Sequence, residues 1–222
     1  MAAIRRRAAL RGDWVRDAPW SPYGVAALLG ALAFVSSLLV VHAARADVGD
    51  WTTHYVSDFA NGRLGWLFVL GTALHGAGNL ALSLGLRESL GARRLSRSAV
   101  LLFALAATGI VAAAFLPADA PGRVPTPTGF AHRAGVSGSF ALELPALFLF
   151  SAAFAASPRW RRRSRASFAL ATLAAAALTG LAVAITAKRV PGLAERVALA
   201  SFLAWEIWAA LALLRADSAR KA

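Results

Sequence analysis

Six apolar runs dominate this chain, each approaching the ~20 residues with which a helix crosses a bilayer. They cover about 23–41, 64–86, 98–116, 133–156, 166–187 and 196–214. With 58% hydrophobic residues and a mean hydropathy of +0.58 over 222 residues, the chain holds far more apolar side chains than a globular core needs. The expected fold is all-α: a polytopic membrane bundle of six transmembrane helices over residues 22–215, between a basic tail at 1–21 and a short tail at 216–222.

Charge sets the expected orientation. Of the 24 Lys and Arg, 17 fall in the two tails and in the second and fourth loops, against 7 in the first, third and fifth. The positive-inside rule then puts both termini in the cytoplasm, in a bacterial-type cytoplasmic (inner) membrane. The net charge of +13 does not point to nucleic acid, because the basic residues are confined to short segments between apolar runs. Trp51, Tyr55 and Trp66 are expected at the outer interface, and Trp20 and Trp160 at the inner one. Arg5, Arg6, Arg7, Arg11 and Arg16, interleaved with Ile4, Leu10 and Trp14, suit a short helix on an anionic surface or a tail that only fixes topology. Ala44-Arg45-Ala46 before Asp47 resembles a signal cleavage site. The apolar run ahead of it exceeds a signal core of ~7–15 residues, so the first span is read as retained.

Cysteine is absent, which excludes disulfides, thiolate metal sites and a cysteine nucleophile. The polar residues that could do chemistry fall into two groups. The first collects outside, at the end of the first helix and in the loops at 43–63 and 117–133. It comprises His42, His54, Ser57, Asp58, Asp119 and His132, three of the chain's four histidines among them. Imidazole with carboxylate is the ligand set of a hard or borderline divalent metal, so His54, Asp58 and His132 are the candidate ligands. The same groups could serve metal-free acid/base catalysis. A helical turn would bring His54, Ser57 and Asp58 to one face, with Ser57 as nucleophile. There is no His-Glu-x-x-His, and Gly135-Val-Ser137-Gly138-Ser139 misses the nucleophile elbow by its last residue. In the structural alternative, His54 and His132 bond loop carbonyls and Asp119 caps the proline-rich turn.

The second group lies inside the membrane. Counted from the outer helix ends, His75, Glu143 and Glu206 all fall ~15–16 Å deep, near the middle of a ~30 Å hydrocarbon layer, and Asn79 lies one turn below His75. An acidic residue there costs on the order of 3 kcal/mol, so these side chains are expected to face inward and find one another. They would form a proton relay or polar substrate site, or a lock for the bundle. Pro145, two residues after Glu143, frees a carbonyl nearby. Trp205 and Trp208 beside Glu206 read as packing.

Three segments carry a family resemblance: His54-Tyr-Val-Ser-Asp58-Phe-Ala-Asn-Gly62, Phe115-Leu-Pro117-Ala-Asp119, and Gly129-Phe-Ala-His132. In this order the chain resembles, over about residues 22–215, the domain of unknown function 998 family of bacterial and archaeal membrane proteins. The resemblance implies the six-helix bundle and makes Ser57, Asp58, Asp119 and His132 motif positions. It brings no established activity. A more distant similarity to Frag1/DRAM-like membrane proteins, through the Ser-Asp loop after the first helix, implies lipid-related roles.

The functional expectation is an outward polar site. His54, Asp58, Asp119 and His132 would act on a membrane lipid or lipid-linked substrate, hydrolase-like, with or without a divalent metal. The alternatives are a proton-coupled transporter using His75, Glu143 and Glu206, and a non-catalytic membrane assembly subunit.

Overall fold

A computed structural model describes residues 21–45, 49–91, 93–120 and 123–218. The expected tails at 1–20 and 219–222, with Trp14 and Trp20, and the Ala46-Asp47 end of the signal-like stretch lie outside the described residues. Six α-helices follow one another: α1 Pro22–Ala44, α2 Gly65–Leu90, α3 Arg94–Ala114, α4 Pro127–Ala155, α5 Arg161–Ala187 and α6 Pro191–Ser218. A 3-10 turn, Val56–Ala60, sits in the α1–α2 loop, and no strand occurs among the described residues. All six helices are long and apolar enough to cross a membrane.

Three of the helices begin at a proline. At α1 and α4 the side chains of Ser21 and Thr126 accept from Gly24 N and Gly129 N, with Pro22 and Pro127 in the first turn; Pro191 opens α6. Caps of this kind start a helix in polar sequence, whatever the hydropathy. For that reason α4 begins near residue 127 rather than 133 and α6 near 191 rather than 196; α5 begins near 161 rather than 166 with no side-chain cap. The extension carries His132 and Glu195 into helices instead of loops.

Each helix packs on its neighbours in sequence, and α1 closes the ring against α6, which also reaches α2. Close approach of α1 and α2 depends on glycine: a Cβ at Gly30 would stand 2.6 Å from Leu74 O, and one at Gly71 would stand 2.0 Å from Ser37 Oγ. The most enclosed span is α6, 56% buried, against 17% for α5, so α6 brings its side chains to the middle.

Two apolar clusters divide the bundle along its length. At the arginine-rich end, Phe103, Phe150, Phe154, Trp160 and Trp205 are packed with Leu82 and Leu147. Phe150 stacks on Trp205 at 5.6 Å and Phe154 on Trp160 at 4.6 Å. Trp160, expected in an interfacial belt, is instead fully buried, with Nε1 donating to Ser89 Oγ at 2.9 Å. At the loop end, Trp51 and Trp66 are exposed. There Phe34, Val56, Phe59, Phe68 and Leu203 form the second cluster, which seats the 3-10 turn on α1, α2 and α6.

Candidate functional site

The helices leave a cavity of about 1020 Å³, lined in part by the loop-end cluster. Its walls are apolar: Phe34, Phe68, Phe140, Leu199, Phe202 and Leu203. His54, Ser57, Asp58, Asp119 and His132 line its mouth, and His75, Glu143 and Glu206 its floor. The two groups read separately from the sequence therefore share one cavity. No lining residue comes from the α2–α3 or α4–α5 connections, and the aromatic cluster packs beyond the floor.

The floor joins α2, α4 and α6. His75 Nε2 donates to Glu206 Oε2 at 2.6 Å, and Asn79 Nδ2 donates to Glu206 Oε1 at 2.6 Å. Phe34 of α1 stacks on the imidazole at 5.1 Å. With Nε2 committed to Glu206, the neutral ring presents Nδ1 as its basic nitrogen. Glu143, only 3% exposed, faces Glu206. Its Oε1 and Thr72 Oγ1 are buried without a hydrogen-bond partner, in two residues that both line the cavity. Native proteins leave few such groups, and each one calls for an explanation.

At the mouth, the expected residues are largely engaged in holding loops. His54 Nδ1 donates to Asp50 O at 3.0 Å, and His132 Nδ1 lies 3.0 Å from both Ala113 O and Leu116 O at the end of α3. Asp119 Oδ1 accepts from Thr126 Oγ1 at 2.6 Å, and Oδ2 accepts from Arg133 at 2.8 Å. The Thr126 hydroxyl, ahead of Arg133, holds the Asp119 carboxyl below its ordinary range. Gly129 lets the carboxylate sit there, since a Cβ would fall 2.0 Å from Oδ2.

Asp58 caps the 3-10 turn by accepting from Tyr55 N at 2.9 Å. Burial pushes its carboxyl up, opposed by that hydrogen bond and by the nearby His54, Arg196 and His132. His54 precedes the turn, so His54, Ser57 and Asp58 do not share one helical face, and Ser57 Oγ has no hydrogen bond to either. Among the described residues, no three His, Cys, Asp or Glu side chains are grouped to hold a metal ion. His42 is turned away from the cavity: it stacks on Phe59 at 4.0 Å and bonds Leu38 O and Arg196.

Three residues escaped the sequence reading. Glu195 Oε2 accepts from Val56 N at 2.5 Å. The Arg196 guanidinium lies over Trp51 and Phe59 at 5.6 and 5.4 Å and donates to His42 Nε2 at 2.6 Å and His54 O at 2.8 Å. Together they clamp the first loop to α6, where Leu193 N also donates to Thr52 O. The available signal was Pro191, which starts a helix early enough to include both. Thr72 carried none beyond lying one turn from His75.

Six spanning helices in one chain define the class: a multi-pass membrane protein built as an α-helical bundle. The chain matches the family model described as protein of unknown function (DUF998) over residues 28–212, and it belongs to that family. No curated protein and no solved structure matches it.

Proposed function

We propose that the protein draws an amphipathic molecule, a membrane lipid or lipid-linked compound, into the cavity and does acid/base work on it at the floor. One observation carries this reading: a single cavity with apolar walls joins the mouth to a buried His75–Glu206 pair beside Glu143. An imidazole fixed by a buried carboxylate is arranged as a general base, able to activate water against an ester or phosphoester. The mouth residues His54, Asp119 and His132 are already bonded as loop braces, which moves the proposed chemistry from the mouth to the floor. In this reading the mouth faces outward and both termini lie in the cytoplasm, which the distribution of Lys and Arg favours.

The test is mass spectrometry of amphiphiles extracted from purified wild type and from Leu199→Trp and Phe140→Trp, which would fill the cavity. The reading expects an amphiphile bound to wild type and lost from both variants. An identical complement in all three would overturn it.

A second reading, proton-coupled transport, is favoured by the mid-membrane position of Glu143 and by Pro145 two residues after it in α4. Uptake driven by a pH gradient and abolished in Glu143→Gln would support transport over hydrolysis. Bound amphiphile with neither turnover nor uptake would leave the role of a non-catalytic assembly subunit.

A further inference from the structure

Charge is distributed unevenly around the cavity. Of the 11 Asp and Glu in this basic chain, five line it: Asp58, Asp119, Glu143, Glu195 and Glu206. Of the 24 Lys and Arg, two do, Arg123 and Arg133, and Arg133 is already paired with Asp119 at 2.8 Å. A protein with more than twice as many cations as anions has turned its anions inward. The floor repeats the pattern, with two carboxylates, Glu143 and Glu206, facing one imidazole. Two carboxyls facing each other beside one imidazole both stay ionised only where a second cation joins them; without one, a shared proton neutralises the pair.

From this imbalance we infer that the amphiphile carries a cationic, amine-type head, and that Glu143 Oε1 and Thr72 Oγ1 receive it. The inference rests on the reading that the cavity binds an amphiphile, and adds the class of its head group. Glu143 Oε1 is an unpartnered acceptor on a side chain 3% exposed, and Thr72 Oγ1 is a second on the same cavity. An ammonium brings three donors and one positive charge, which matches both deficits; a carboxylate or phosphate head would add an acceptor and a negative charge to a site already rich in both. A hydroxyl head could satisfy one oxygen but would bring no positive charge to the carboxyl pair. A bare metal ion fits poorly, because no three candidate ligands are grouped among the described residues and the remaining walls are apolar. The apolar walls suit the chain that follows the head.

The test is direct binding of tritiated dodecylamine and tritiated dodecanol to the purified full chain, with dodecanoate as competitor. Wild type is expected to hold the amine about tenfold or more tightly than the alcohol, the scale of one charge-assisted hydrogen bond, with dodecanoate weakest. Glu143→Gln is expected to erase that preference while still binding dodecanol, which also shows that the variant is folded. Thr72→Val, nearly isosteric, is expected to reduce the amine-to-alcohol ratio and serves as the test where Glu143→Gln does not fold. Equal binding of amine and alcohol by wild type, or a preference unchanged in the variants, would overturn the amine assignment and leave the cavity reading intact. Binding of none of the three would overturn both.

Discussion

His75 Nε2 of α2 and Glu206 Oε2 of α6 lie 2.6 Å apart, although the two residues are 131 positions apart in the chain. Glu206 is held on its other oxygen by Asn79, so one carboxylate ties α2 to α6 through two hydrogen bonds. Removing one member of a buried pair strands the other. Glu206→Leu is therefore expected to cost about 3–5 kcal/mol, while replacing both His75 and Glu206 with leucine should recover much of that loss. Thermal unfolding in a fixed detergent measures both. A double variant as unstable as the sum of the two single changes would show that the residues do not act as a pair.

The clamp on the first loop depends on a residue with no side chain. A Cβ at Gly192 would lie 2.1 Å from His54 O and 2.8 Å from Trp51 O, both backbone atoms that cannot swing aside. Gly192→Ala should lift the 51–60 segment from α6, breaking the bonds of Glu195 and Arg196 to it. Trypsin at Arg45 and Arg63 reads this out: cleavage is expected to be faster in the variant. An unchanged digestion pattern would mean that the loop is held by other contacts.

The two loop carboxylates should respond to acid with opposite sign. Asp119 is held below the ordinary 3.8 by Thr126 and then Arg133, so its contribution is complete above that value and is lost as the pH falls through its lower folded value. Asp58 is raised by burial, so the folded state binds its proton more tightly. Stability then declines as the pH rises from 3.8 through the folded value, and Asp58→Asn removes that decline. Melting temperature against pH for wild type, Asp58→Asn and Asp119→Asn should give slopes that differ in these directions. A parallel set of curves would contradict the assignment.

Much of the floor was legible because helix geometry converts sequence distance into depth. Counting residues from a common end placed His75, Glu143 and Glu206 at one level, and lipid gave them no other partners. The helix starts were less legible to a reading based on apolar residues, although Ser21-Pro22 and Thr126-Pro127 are visible caps. Using the caps would have moved His132 into α4. Glu195 could not be assigned from sequence, since its partner is the backbone of Val56, 139 residues away. Nor could the joining of mouth and floor into one cavity be read, because it depends on how α2, α4 and α6 pack.

In the proposed function the cavity is reached from the loop end, closed beyond the floor, and occupied by an amphiphile. The chain has no cysteine, so one introduced thiol reports on its own position. Leu203→Cys stands on the cavity wall, and Leu147→Cys lies fully buried in the aromatic cluster beyond the floor. A small thiol reagent is expected to label Leu203→Cys, dodecylamine to slow this labelling, and Leu147→Cys to stay unreactive. Labelling of both at similar rates, or labelling of Leu203→Cys that dodecylamine does not slow, would contradict it.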